Sequence, residues 1–479
     1  MSEAESGLVP PDVLAERYAS PEMTAIWSPR GKVILERELW IAVLKAQRTL
    51  GLDIPPEAIA AYERVKDHVD LDSIRARERV TKHDVKARIE EFCALAGYEH
   101  VHKGLTSRDL TENVEQLQVL RSAKLLLEKG IASVQFLAER AREYRHVVLP
   151  ARTHNVPAQP TTFGRRLAMY GEELVLALEH LEWWIQRYPL RGIKGPVGTQ
   201  LDLLTLFQGD RTKVEQLERA VLDFLGFGRS LRAVGQVYPR SLDAAVAAIL
   251  VQLGAAPSNF AKTLRLMAGL ELASEGFAPG QVGSSAMPHK MNARSCERLN
   301  GLHVVVRGYA HMLAALAGDQ WNEGDVSCSV VRRVALPGVF LASDGLFETF
   351  LAVLANFHLF PAVVEAEWRR YAPFLVTTTL LMEAVRRGAG REQAHAIIQQ
   401  ETQAAAASLR SGAPGVDLVE RLLAHPELRL DREVVENILR SAGDLVGAAD
   451  QQTETFLDAA RELLARYPQA QRHRPRDIL

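Results

Sequence analysis

The sequence predicts an all-α protein: a long central helical bundle with smaller helical domains at its two ends. Three observations predict it. Apolar residues recur at spacings of three and four over five long segments. No run of β-branched strands alternates with helices, so a doubly wound sheet is not expected. Neither GxGxxG nor GxxxxGK[ST] occurs, which removes the common dinucleotide-binding and P-loop arrangements.

In chain order, the first helical pattern runs from about Val33 to Leu50 and is broken by Gly51 and the Pro55-Pro56 pair. Short helices and polar turns follow to Gly97, among them Thr81-Lys82-His83-Asp84-Val85. The donor-rich stretch His100 to Asp109 leads into the first long helix, with Thr106 or Ser107 as its cap. That helix carries Leu117, Leu120, Leu127, Ile131, Val134, Ala138 and Ala141 on one stripe. The rhythm returns from Phe163 to Tyr188, from Leu242 to Ser274 with a bend expected at Pro257, from Leu299 to Leu316, and from Leu336 to Phe357. Five such helices imply a bundle. Broad stripes flanked by Ala245, Ala247, Ala248, Ala314 and Ala315 imply burial on more than one face, and therefore an oligomer. After Pro361 the helices shorten, for example Thr377 to Arg387 and Arg391 to Ala407. The expected division is an N-terminal helical domain over 1–112, the bundle over 113–360 and a C-terminal helical domain over 361–479, with a loose tail from Gln469.

Composition narrows the function classes. Lys and Arg total 57 against 59 Asp and Glu, a net charge of -2 that gives no reason to expect nucleic acid or an anionic membrane as partner. Cys93, Cys296 and Cys328 are far apart and form no CxxC pair, so neither a disulfide framework nor a zinc site is expected. His100 and His102 are spaced as HxH without a third cluster, and no metal is expected. The first residues are acidic and lack an apolar core, and no apolar run reads as long and uninterrupted enough to span a bilayer; a cytoplasmic location follows as an expectation.

Three separated segments concentrate chemistry. They are His102 to Asp109, Arg152 to Gly164, and Gly283-Ser284-Ser285-Ala286-Met287-Pro288-His289-Lys290-Met291-Asn292. On residues alone the last reads first as a Gly-Ser-Ser helix cap. The run Gly-Ser-Ser-x-Met-Pro-x-Lys-x-Asn, however, resembles the signature of the fumarase/aspartase superfamily, and the other two segments resemble its remaining signature regions in the right order. His83-Asp84-Val85, Leu105-Thr106-Ser107-x-Asp109, Arg152-Thr153-His154 and His289 resemble the branch of the superfamily that acts on succinylated purine nucleotides.

The resemblance implies a fumarase/aspartase-like fold and β-elimination, with fumarate released from a small-molecule nucleotide and no cofactor. The proton to be removed lies beside a carboxylate and is weakly acidic, so a desolvated base, donors around that carboxylate and a separate acid are required. The resemblance assigns the base to Ser284 and the acid to His154. It places His83 near the acid or the phosphate, His102 as a positioning group, and Glu297 as the residue that orients His154. Lys290 and Asn292 would hold the succinyl carboxylates. Arg17, Tyr18, Ser329 and Arg333 would hold the phosphate. Lys82, Asp84, Thr106, Ser107, Gln236, Ser285 and Arg298 match further substrate-contacting positions. It also implies a homotetramer with each site shared among three subunits. Met291, Ala293, Lys82 and Gly324 depart from the family pattern, which commonly has arginine at the first, third and fourth and proline at the second; Arg332, Arg333 or Arg294 are the candidate replacements for the cation missing at Gly324. A carboxymuconate cycloisomerase-like enzyme and a non-catalytic helical scaffold remain the rival readings.

Overall fold

A computed structural model describes residues 12–277, 280, 286–287, 289–413, 415 and 417–476. Short helices α1 (Val13–Arg17) and α2 (Pro21–Trp27) lead into α3 (Pro29–Thr49), followed by α4 (Pro56–Val65), α5 (Leu71–Thr81) and α6 (Asp84–Ala96). Polar caps begin several of these: the Ser28 side chain accepts from the Gly31 N–H, Asp70 from Asp72 and Ser73, and His83 from Lys86. Helix α6 ends where Gly97 takes a left-handed φ of 73°.

The bundle starts with α7 (Ser107–Glu143), which is about 55 Å long at 1.5 Å per residue. A hairpin of β1 (Val148–Thr153) and β2 (Val156–Thr162) follows, then α8 (Phe163–Arg187), α9 (Leu201–Leu206), α10 (Arg211–Leu225), α11 (Ser241–Leu253) and α12 (Ala255–Gly269). The expected single helix from Leu242 to Ser274 is thus two helices. The break lies at Gly254, and Pro257 sits in the first turn of α12, where its missing N–H costs no helical bond. Beyond β3 (Ala273–Ser274) come α13 (Arg294–Ala315) and α14 (Ser329–Asn356); β4 (His358–Leu359) pairs antiparallel with β3.

Helices α7 and α14 run side by side in the same direction. Arg108 near the start of α7 reaches Ser329 at the start of α14, while Arg140 near its end donates to the Leu354 carbonyl at 2.9 Å. Close approach is built in by small residues: a Cβ on Gly130 would come within 2.5 Å of Leu178, and one on Gly338 within 2.4 Å of the Tyr309 ring. In the middle, buried Lys129 pairs with Asp344 and, at 2.7 Å, with Glu348. Asp344 also accepts the Ser20 N–H at 2.6 Å, which ties the N-terminal segment to the bundle. Replacing one partner of such a buried pair strands the other charge.

Two stretches, Ser241–Gly269 and Ser329–Asn356, do reach the length and apolarity of a membrane span, contrary to the sequence expectation. The most apolar window of the second is 94% buried inside the fold, so its apolarity is accounted for by the bundle core.

Next come α15 (Pro361–Leu375), α16 (Thr377–Arg386), α17 (Arg391–Arg410), α18 (Leu418–Leu423) and α19 (Arg432–Arg440). Val376, Leu380, Ala384, Ile398, Leu422 and Val435 belong to a second buried cluster, separate from that of the bundle. The last helix, α20 (Ala449–Arg466), returns to pack on α7 and α8, with Phe456 against Gly171. The tail is not loose over its described length. Pro468–Arg472 forms a 3-10 turn with Ala470 buried, and Arg476 bonds Glu22 at 2.6 Å.

Candidate active site

The predicted residues fall into separate places on this frame. At the N-terminal end of α7, Thr106 donates its backbone N–H to Asp109 at 2.8 Å, closing the first turn. Asp109 is fully buried, and its other oxygen accepts from Arg191 at 2.6 Å and from the Lys194 and Gly195 N–H groups at 2.8 and 3.0 Å. Around this hub stand exposed Lys82, His83 and half-buried Ser107; His83 Nε2 is 3.4 Å from Ser107 Oγ. Arg108 links them to Ser329 at 3.4 Å, and exposed Arg333 lies one turn further along α14. Burial pushes the Asp84 carboxyl up, but Arg88 and the Val85 N–H outweigh it and hold it below its ordinary value. Asp84 is therefore already engaged with its own helix.

His102 accepts the Trp40 indole N–H on Nδ1 at 3.1 Å. Burial, with the charge of nearby His83, lowers its pKa to about 4 against the opposing pull of Asp109. It is neutral near pH 7, and the Trp40 contact puts its proton on Nε2.

Gln236 donates its backbone N–H to the Glu323 carbonyl at 2.6 Å, which brings the neighbouring Gly324 against Val237. Gly324 has φ 117°, and a Cβ there would come within 2.7 Å of Val237 Cγ2. This backbone path demands glycine and excludes an arginine without rearrangement. Arg332 offers no replacement. It is buried and bonded to Asp243 at 2.8 Å and Glu115 at 2.6 Å. Arg333, on the same end of α14, and exposed Arg294, at the start of α13, are left as cations at the surface.

A second group surrounds a cleft of about 1050 Å³ lined by Lys262, Arg265, Glu275, His289, Lys290, Asn292 and Glu297. Glu297 lies 3.7 Å from Arg265. Lys262 and Arg265 were not anticipated from the sequence; on an amphipathic helix they read as solvated surface charge. Ser284 and Ser285 lie outside the described residues. Nearby, the Arg298 guanidinium stacks 5.4 Å from the Tyr18 ring, and burial lowers its pKa. Tyr18 packs against Gly345, 16 residues along α14 from Ser329, or about 24 Å at helical rise. Arg17 and Tyr18 therefore do not meet Ser329 and Arg333 within one chain.

The third group is the β1–β2 hairpin. His154 and Asn155 form its two-residue turn with φ 52° and 61°, the double left-handed geometry of a type I′ turn. His154 is exposed at the tip. Arg152 donates to the Asn155 carbonyl at 2.9 Å and pairs with Glu367 of α15. The hairpin leaves from the end of α7 opposite to the one where Ser107 meets His83.

The family described as "Lyase" matches residues 17–308, and that described as "Adenylosuccinate lyase C-terminus" matches 373–456. The adenylosuccinate lyases of Schistosoma mansoni and Saccharomyces cerevisiae are each 33% identical to the chain, with 93% of both partners covered. The crystal structure of 3-carboxy-cis,cis-muconate lactonizing enzyme from Pseudomonas putida superposes with TM-score 0.81 at 20% identity, covering 95% of this chain and all of that one. That likeness establishes the all-α, fumarase/aspartase-like fold. With the full-length identity to the curated enzymes, it follows that the chain is a lyase that belongs to the adenylosuccinate lyase family.

Proposed function

We propose that the chain releases fumarate from adenylosuccinate, leaving AMP, and from succinylaminoimidazole carboxamide ribotide, leaving the carboxamide, in purine nucleotide synthesis. The observation that carries this reading is the 33% identity over 93% of the chain to adenylosuccinate lyases, beside the presence of Ser284, His154 and Lys290 in the segments that resemble the superfamily signatures. Ser284 takes the proton beside a succinyl carboxylate. Lys290 and Asn292, which line the cleft, hold the charge that builds on that carboxylate. His154 protonates the departing nitrogen, and Glu297 orients it. Neutral His102 serves as a hydrogen-bond donor rather than as a cation. Arg17, Tyr18, Ser329 and Arg333 bind the phosphate, and His83, Lys82, Asp84, Thr106, Ser107, Gln236, Ser285 and Arg298 complete the substrate surface.

We further propose that the enzyme is a homotetramer whose sites combine groups from three subunits. Supporting this, Met169, Leu176 and Trp183 form an exposed line seven residues apart on α8, and Val304 and Val305 are exposed on α13 beside Gly301 and Gly308, which have open space before them. The three-part domain division is part of the proposal; a buried cluster of its own from Ala372 to Ala442 supports a C-terminal unit, while Val364 and α20 pack with the bundle. The free thiols Cys93, Cys296 and Cys328 suit a cytoplasmic protein.

The test is turnover of purified protein on adenylosuccinate, following AMP and fumarate together, beside Ser284→Ala. Equal amounts of both products from the wild type, and a loss of orders of magnitude in the folded variant, are expected. No product from folded, tetrameric wild type would remove the assignment and turn attention to carboxymuconate substrates.

A further inference from the structure

Helix α13 begins without a cap of its own. Its N-cap residue is Ala293, which has no side-chain acceptor, where Ser, Thr, Asp or Asn would ordinarily satisfy the first N–H groups. Glu275 supplies the acceptors instead, from 20 residues upstream of Ser295. Its Oε1 accepts the Ser295 N–H and its Oε2 the Cys296 N–H, each at 2.9 Å. The residue is 4% exposed.

Glu275 is itself held from behind. It follows β3, which is paired with β4, and precedes Gly276, whose φ of 93° carries the backbone so close to the end of α14 that a Cβ would fall 2.6 Å from Asn356 Cβ. The carboxylate thus transmits the position of the β3–β4 ribbon to the first turn of α13. That turn carries Glu297, and Lys290 and Asn292 immediately precede it; all of them line the cleft with Glu275. The same carboxylate occupies the anion-favouring end of the helix. A substrate carboxylate is then left to Lys290 and Asn292.

We infer that Glu275 is a positioning residue of the elimination reaction: its carboxylate, acting through the first turn of α13 rather than on the substrate, sets the placement of Lys290, Asn292 and Glu297 in the cleft. The inference rests on the lyase reading above. Because displacement of about 1 Å at a site of this kind costs up to about 100-fold in rate, Glu275→Ala is expected to lower kcat by roughly 10- to 100-fold while KM stays within about 3-fold.

The test separates placement from plain helix stability. Ala293→Asp gives α13 a local cap, so the pair Glu275→Ala with Ala293→Asp is compared with Ala293→Asp alone and with the wild type for kcat, KM, Tm and amide exchange at Ser295 and Cys296. The inference expects Tm and amide protection to return in the double variant while kcat stays low relative to Ala293→Asp. Recovery of kcat together with Tm would overturn it, as would near-wild-type kcat in Glu275→Ala. Should Glu275→Ala not fold, Glu275→Gln, which keeps one acceptor of the two, decides: unchanged kcat overturns the inference and a drop of 10-fold or more upholds it. A wild type silent on adenylosuccinate would dispose of the proposed substrate separately. Amide exchange, which needs no substrate, would then decide: faster exchange at Ser295 and Cys296 in either Glu275 variant upholds the placement of this turn by Glu275, and unchanged exchange refutes it.

Discussion

At the scale of single residues, the N-terminal end of α7 shows how burial sets chemistry. His102 has a pKa of about 4 in the folded protein against 6.5 for a free imidazole. The unfolded chain therefore binds a proton that the folded chain refuses between these values, so stability is complete above about pH 6.5 and falls as pH drops toward 4. The loss amounts to roughly 3 kcal/mol over that window. His102→Gln should flatten this limb, measured as the urea-unfolding free energy at pH 6.5 and at pH 4; an unchanged difference would place the titration elsewhere. The sequence showed His102 and Asp109 as members of one polar stretch, but not their partners. Arg191 and Trp40 are far away in the chain, and a charged residue on a helix reads as surface unless its buried partner is known. The same holds for Glu275, whose capping role is invisible because caps are sought at position 293 and not beyond β3.

At the scale of elements, the apolar stripes located the long helices, because a period of 3.6 sustained over many turns is hard to imitate, although α13 and α14 begin a turn or two before the expected Leu299 and Leu336. Helices α9 and α10 and the short β3–β4 ribbon were not foreseen, and neither was the β1–β2 hairpin. Pro150, Pro157 and Pro160 disguise it, since proline is poor in central strands yet acceptable in a two-stranded ribbon with free edges. Its turn makes a sharp prediction. Asparagine tolerates the left-handed region well, so His154→Asn should retain the hairpin, with Tm close to that of the wild type, while kcat falls by about 100- to 10,000-fold as the general acid is lost. Unaltered kcat would move the acid to another residue. A large fall in Tm would instead mean that His154 is needed for the fold of the tip.

At the scale of the whole molecule, one chain does not bring its own groups together. His83, Ser107 and Ser329 gather where α7 and α14 begin, Tyr18 and Arg298 meet alongside the middle of α14, and the His154 hairpin departs from the far end of α7. A helix about 55 Å long stands between the first and last of these, and no loop movement of ordinary size spans it. The proposed self-association through the exposed faces on α8 and α13 would resolve the difficulty, because related copies lying side by side can set the end of one chain against the middle of another. This arrangement is testable without a structure of the assembly. A subunit carrying His154→Asn and one carrying Ser284→Ala are each inactive alone. If acid and base of a site come from different subunits, unfolding and refolding an equal mixture restores sites with both intact, about a quarter of the total for random assortment. If both come from the same subunit, every site lacks one or the other and the mixture stays inactive, which would leave acid and base to the hairpin and the cleft of one chain, both of which lie beside α15.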